Sequence, residues 1–315
     1  MRNLLEIEGL SREQIERFLA RAESLASITG SEKKKLPTLS GRTVVNLFLE
    51  ASTRTSTSFD LAAKRLSADI ISVRSDGSSV EKGESLKDTV QTLTAYEPAA
   101  IVVRSPHVAS AQMVANWTNA AVINAGDGKH EHPTQALLDA YTLRNRLGPL
   151  DGLNVWIVGD ILHSRVARSN ILAFQQLGAD VTVCGPPTLV PREFAELGCE
   201  VRYSLAGSEH ADVIYVLRLQ RERMTQGHLP SMGEYISQYQ INARRLGANQ
   251  LLMHPGPVNR GVELADDVVD APNSLITQQV QAGVVVRMAV FYELLSTGNV
   301  DDGEQMKVAT VELTR

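Results

Sequence analysis

Two domains of the α/β class, each a parallel sheet with helices on both faces and bridged by a C-terminal helix, are what this 315-residue sequence predicts. Three observations carry that prediction. Short β-branched and apolar runs alternate with stretches of helical periodicity along almost the whole chain, the pattern of parallel strands joined by crossover helices. The alternation occurs twice, and Gly148-Pro149 separates the two series by ending a long helix. The length also favours two domains at about 100–200 residues each, and 43% hydrophobic residues suffice for two cores.

In chain order, Ile15, Phe18, Leu19, Ala22, Leu25 and Ala26 recur at helical spacing after Ser11, predicting a leading amphipathic helix over residues 11–28. The run from Thr43 to Leu49 reads as a buried strand, and Phe59, Leu61, Ala62, Ala63 and Leu66 as the helix after it. A short strand at 70–73, a polar loop to Glu84, a helix from Ser85 to Ala95 and a strand at 100–103 follow. A helix near 108–117, a strand at 121–124 and a long helix from His132 to Leu147 complete the first series. The second has strands at 155–158, 181–184, 213–217 and 251–253. Val280, Val284, Val285, Met288, Ala289, Tyr292 and Leu295 mark a late helix over 275–295, expected to pack back on the first half. The expected domains are therefore 1–147 and 148–274, with 275–315 returning to the first.

Composition narrows the function. A net charge of −5 with scattered arginines excludes a nucleic-acid footprint, and the run Lys33 to Lys35 reads as a solvated loop. Two cysteines, Cys184 and Cys199, supply neither a disulfide framework nor a metal site and fit a reducing compartment. Arg2, Glu6 and Glu8 interrupt the apolar start, and no apolar run approaches the ~18 residues of a membrane span. The expectation is a soluble cytoplasmic protein.

Chemistry concentrates between the first strand and its helix. Ser52, Thr53, Arg54, Thr55, Ser56, Thr57 and Ser58 follow Glu50 and Ala51. A strand ending in small hydroxyl residues and an arginine, then opening a helix, directs unpaired backbone N–H groups and the positive end of a helix dipole at one spot. A phosphate or another oxyanion fits there, since one hydroxyl suffices as a cap. Arg104, Arg218 and Gln220 lie at the C-terminal ends of strands, where open α/β sheets gather ligands. Arg165 and Arg168 stand near a helix start after the strand ending at Val158, a place suited to a carboxylate. That turn has Gly159 but no Gly-x-Gly-x-x-Gly, which discounts a nicotinamide cofactor. His130-Glu131-His132 lacks partners to complete a tetrahedral metal site, and Pro133 at a helix start directs His132 and Gln135 toward the preceding loop. Alone, His132 reads as a hydrogen-bonded structural histidine. No cofactor and no metal are expected.

Ser52-Thr53-Arg54-Thr55, Arg104 and His132-Pro133-Thr134-Gln135 in these contexts resemble the aspartate/ornithine carbamoyltransferase family. Ser78 with Lys82-Gly83-Glu84-Ser85, Arg218-Leu219-Gln220 and His254-Pro255-Gly256-Pro257 resemble its aspartate-specific branch. The resemblance covers nearly the whole chain. It implies transfer of the carbamoyl group of carbamoyl phosphate to L-aspartate, giving N-carbamoyl-L-aspartate and phosphate, an early step of pyrimidine (UMP) biosynthesis. It implies that Ser52, Thr53, Arg54 and Thr55 hold the phosphate, with Arg104 reaching the phosphate and the carbonyl oxygen. Thr55, Arg104 and His132 would polarise the carbonyl, and Gln135 and the backbone oxygens of Pro255 and Gly256 would fix the carbamoyl amide. Arg165, Arg218 and Gln220 resemble the aspartate-binding set. Ser78 and Lys82 would enter from a neighbouring subunit, so the resemblance implies a homotrimer with shared sites, and it leaves a regulatory chain or dihydroorotase open as further partners. Ser231-Met232-Gly233 looks like the ornithine-binding motif of the sister branch, but it lies well beyond Arg218 and is read as coincidence. Val166 and Gly256 stand where some aspartate-specific members carry a larger or hydroxyl residue. The competing readings are carbamoyl transfer to ornithine or another amine, a non-catalytic oxyanion-binding module of the same fold, and, weaker still, a dehydrogenase.

Overall fold

A computed structural model of the chain describes residues 1–29, 35–74, 83–220 and 231–296. Lys33, Lys34, Ser78, Lys82 and residues 297–315 lie outside the described residues. Helix α1 (Arg12–Thr29) opens with a reciprocal cap, in which Gln14 N donates to Ser11 Oγ and Ser11 N donates to Gln14 Oε1. Then come β1 (Thr43–Phe48), α2 (Thr53–Arg65), β2 (Asp69–Arg74), α3 (Leu86–Thr94), β3 (Ala100–Ser105), α4 (Ser110–Trp117), β4 (Ala121–Asp127) and α5 (Pro133–Leu147). The second series has β5 (Asn154–Val158), α6 (Arg165–Gln176), β6 (Asp180–Cys184), β7 (Glu200–Arg202), β8 (Val213–Val216), α7 (Met232–Tyr239), β9 (Leu251–Met253), α8 (Asp266–Val269) and α9 (Ile276–Leu295).

The strands form two all-parallel sheets, ordered β2-β1-β3-β4 and β7-β6-β5-β8-β9. The central strands β1 and β3, and the edge strand β4 bridged by Leu4, are buried almost throughout, which is why they read as mainly apolar runs. Each order reverses once, between β1 and β3 in the first sheet and between β5 and β8 in the second. At such a reversal the connections leave to opposite faces and open a crevice at the carboxyl ends of the strands. Every sequence-predicted site residue within the described chain lies at or beyond the carboxyl end of a strand: 52–55 after β1, 104 at the end of β3, 132 and 135 after β4, 165 after β5, 218 and 220 after β8, and 255–256 after β9.

Helix α9 packs against α1, α2 and α5 of the first half and reaches β9 of the second, so it bridges the two. Neighbours on several sides explain why its stretch 282–292 is apolar but for the enclosed Arg287. Phe59 and Phe291 meet edge to face at 5.8 Å, tying α2 to α9.

Three details depart from expectation. Between β6 and β8 there is no α-helix but two 3-10 turns at Arg192–Leu197 and Ser208–His210; Pro186, Pro187 and Pro191 keep the chain non-helical before the first, and Gly198 at φ +84 ends it. The edge strand β7 has three residues, too short for a periodic signal. Helix α4 starts at Ser110, since Ala109 takes the left-handed conformation.

Candidate active site

The two crevices face one another across a cleft of about 1330 Å³. From the first half it is lined by Ser52, Thr53, Arg54, Thr55, Arg104, His132 and Gln135, and from the second by Arg165, Val166, Arg218, Gln220, Pro255 and Gly256. Ser78 and Lys82 lie outside the described residues. Arg168, a turn beyond Arg165 on α6, does not line the cleft, so the pair expected there reduces to one arginine. Ser231 caps α7 by accepting from Glu234 N at 3.1 Å, and its motif does not line the cleft either. A helix-capping role therefore accounts for that sequence match.

At the turn after β1, Ser52 is the N-cap of α2 in extended conformation, yet its hydroxyl accepts no capping hydrogen bond. The first-turn N–H groups of α2 and the hydroxyls beside them are thus left for a ligand rather than consumed by the chain. Arg54 stands on that first turn with its side chain open to the cleft and makes no hydrogen bond to the described residues. Burial, and then Arg218 across the cleft, lower its pKa from the ordinary guanidinium value. Cations crowded together in this way repel until an anion arrives.

Loop 254–257 closes over this turn. Gly256 has φ +66, a conformation that favours glycine, and a Cβ there would fall on the Arg54 guanidinium, which would have to move aside. Gly256 N donates to His254 Nδ1 at 2.8 Å, and the His254 Nε2 stands 3.3 Å from Glu263 Oε1, both side chains being fully buried. The turn is therefore anchored from behind by a buried pair.

His132 is the N-cap residue of α5. Its backbone N–H donates to Ser169 Oγ at 2.8 Å, and Ser169 in turn donates to Glu131 Oε2 at 2.8 Å. Glu131 also accepts from the N–H groups of Ile7 and Glu8, while His130 pairs with Asp127 at 3.1 Å. The side chains of His130 and Glu131 thus engage separate partners, and neither is shared with the His132 ring. Burial first, and then Arg104, Arg287 and Arg165, hold the His132 imidazole well below its ordinary pKa. It is neutral at working pH, and its Nδ1 finds no partner among the described residues.

Residues 2–145 match the family described as aspartate/ornithine carbamoyltransferase, carbamoyl-P binding domain, and residues 151–294 match its Asp/Orn binding domain. The chain belongs to the aspartate/ornithine carbamoyltransferase family. Within this family it is 52% identical over 306 residues to the aspartate carbamoyltransferase catalytic subunit of Salinispora arenicola, covering 95% of this chain and 99% of the relative. The Sinorhizobium medicae catalytic subunit is 51% identical over 302 residues, covering 95% and 96%. Among solved structures, aspartate transcarbamoylase from Trypanosoma cruzi in complex with N-(phosphonacetyl)-L-aspartic acid superposes with a TM-score of 0.83 at 29% identity, over 93% of this chain and 96% of that one. The catalytic subunit of the M. jannaschii enzyme gives 0.83 at 32% identity, over 95% and 99%.

Several polar groups of this family member escaped the sequence reading. Glu50, the last residue before the phosphate-type turn, accepts from Arg104 at 3.0 Å and from Arg165, linking the two walls. Asp160 follows β5 and accepts from His163 N at 3.2 Å and Gln220 N at 3.3 Å, fastening the loop before Arg165 to the loop carrying Gln220. Arg287 reaches the cleft from α9, donates to Ser58 Oγ at 2.6 Å and stacks over Phe59 at 4.9 Å. Burial, then Arg104, lower its pKa to about 9. A charge in the middle of the apolar stretch 282–292 was the available signal for Arg287. Neither cysteine lines the cleft, and burial raises the Cys184 thiol to about 12 and Cys199 to about 11, so neither supplies a thiolate nucleophile.

Among the described residues no helix is long and apolar enough to cross a membrane.

Proposed function

We propose that this chain transfers the carbamoyl group of carbamoyl phosphate to the amino group of L-aspartate, giving N-carbamoyl-L-aspartate and phosphate in pyrimidine biosynthesis. The observation that carries the proposal is the convergence on one cleft of the Ser52–Thr55 helix start with Arg104 and His132 on one wall, and of Arg165 and Arg218 on the other. One wall suits a phosphate and a polarised carbonyl, the other a dicarboxylate. In this reading residues 1–147 form the carbamoyl phosphate-binding domain and 148–274 the aspartate-binding domain. The relatives named above are aspartate carbamoyltransferase catalytic subunits, and the ornithine-type motif of this chain is occupied in capping α7.

The neutral amine of aspartate attacks the carbamoyl carbon. The new C–N bond gives a tetrahedral intermediate, the C–O bond to phosphorus breaks, and the amine's proton leaves with the phosphate. Ser52, Thr53, Arg54 and Thr55 hold the phosphate. Thr55, Arg104 and His132 donate toward the carbonyl oxygen as negative charge develops on it. Gln135 and the carbonyl oxygens of Pro255 and Gly256 hold the carbamoyl N–H2, and Arg165, Arg218 and Gln220 hold aspartate. No residue forms a covalent intermediate; orientation and fixed positive charge supply the rate. The assay is direct: carbamoyl phosphate is consumed with aspartate and not with ornithine, and the reverse preference rejects this reading.

The working unit in this proposal is a cytoplasmic homotrimer, with Ser78 and Lys82 entering the site from a neighbouring subunit. Mixing Lys82→Ala and Arg54→Ala chains, each inactive alone, then regenerates activity, because some hybrids contain one intact site. Mixtures as inactive as their parents would mean that each chain carries its whole site.

A further inference from the structure

Asp139 lies one turn after Gln135 on α5, fully buried, and does not line the cleft. Its four hydrogen-bond neighbours are all donors. Gln135 Nε2 at 3.0 Å and Gln279 Nε2 at 2.7 Å bond one oxygen. Asn170 Nδ2 at 3.0 Å and the Tyr215 hydroxyl at 2.7 Å bond the other. A carboxylate offers about four acceptor sites and no donor, so Asp139 is saturated and each amide must turn its N–H2 inward. Turning Nε2 of Gln135 inward turns its Oε1 the other way. That side chain lines the cleft, and its Oε1 accepts no hydrogen bond from the described residues. Gln279 is fixed in the same sense, and its Oε1 accepts from His254 N at 3.0 Å, holding the loop that carries Pro255 and Gly256.

We propose that Asp139 is a positioning residue that sets acyl-group selectivity: it locks Gln135 with its oxygen toward the cleft, so this wall accepts hydrogen bonds and prefers an acyl phosphate bearing N–H2 over one bearing a methyl. The proposal rests on the carbamoyl transfer proposed above and adds to it a residue that touches no substrate. A glutamine freed from Asp139 rotates and offers its own N–H2, a donor facing a donor, and the preference collapses.

The test uses acetyl phosphate, which replaces the carbamoyl N–H2 by a methyl. Its dissociation constant and that of carbamoyl phosphate are measured for the wild type, Asp139→Ala and Asp139→Asn. The asparagine variant keeps an acceptor toward Gln135 and Gln279. Its N–H2 turns to the Tyr215 hydroxyl, which rotates to accept, and to Asn170, whose Oδ1 has no partner among the described residues and is free to turn inward. The ratio of the two constants falls about tenfold in Asp139→Ala and stays within about twofold in Asp139→Asn, the scale of one hydrogen bond, while KM for aspartate holds in both. A general loss of packing would weaken both acyl phosphates alike and overturn the role. If Asp139→Ala does not fold, the wild type still decides: ¹⁵N spectra show one Gln135 side-chain proton exchanging slowly, and rapid exchange of both overturns the proposal. A wild type that does not prefer carbamoyl phosphate overturns the reading beneath it. A discriminating wild type with an equally discriminating Asp139→Ala overturns the role of Asp139 alone.

Discussion

An Arg54→Ala chain turns over at least about 10³-fold more slowly than the wild type, with a far smaller change in its affinity for aspartate. Arg54 stands on the first turn of α2 beside the unfilled N–H groups, where the departing phosphate gathers charge. It makes no hydrogen bond to the described residues, and burial with Arg218 lowers its pKa. A cation placed in that way binds an anion more strongly as the anion's charge grows, so its loss is felt in the transition state more than in the ground state. The substitution removes no protein contact of consequence, and the melting temperature is expected to hold. Steady-state kinetics separate the cases: kcat and kcat/KM for carbamoyl phosphate fall together, whereas a loss shared equally with aspartate affinity would indicate general damage.

The next largest effect is expected for His132→Ala, a loss in kcat on the order of 10²–10³. The ring lines the cleft at the start of α5 and has an N–H to give to the carbonyl oxygen. Its protonation state follows from its surroundings. Burial and three arginines disfavour the imidazolium, so the folded-state pKa is depressed and the ring charges only at acid pH. At and above neutral pH it is uncharged and acts as a hydrogen-bond donor, not as a base. The pH profiles of wild type and His132→Ala should therefore have the same shape over that range. A limb present in the wild type and lost in the variant would assign His132 a proton-transfer role instead.

Much of this was legible in the sequence for a specific reason. Parallel sheets covered on both faces make strands such as β1 and β4 mainly apolar, and their ends then locate the ligand. Ser52 to Thr55, Arg104, Arg218 and Gln220 could be placed from that rule alone. What stayed hidden depends on partners distant in sequence. Glu50 matters because Arg104 and Arg165 converge on it, 54 and 115 residues away. Asp139 is one polar residue in a buried helix until Gln279, Asn170 and Tyr215 are folded around it. Arg165 and Arg168 looked equivalent at the helix start, and only the packing of α6 brings the first into the cleft.

The central claim is that one pocket of fixed positive charge at the start of α2 grips a phosphate while the facing wall holds a dicarboxylate. A crystal soaked with N-(phosphonacetyl)-L-aspartic acid addresses it directly. The phosphonate is expected on the backbone N–H groups and hydroxyls of Ser52 to Thr55, with the two carboxylates on Arg165 and Arg218. A phosphonate lodged away from that turn, or carboxylates pointing from those arginines, would contradict it.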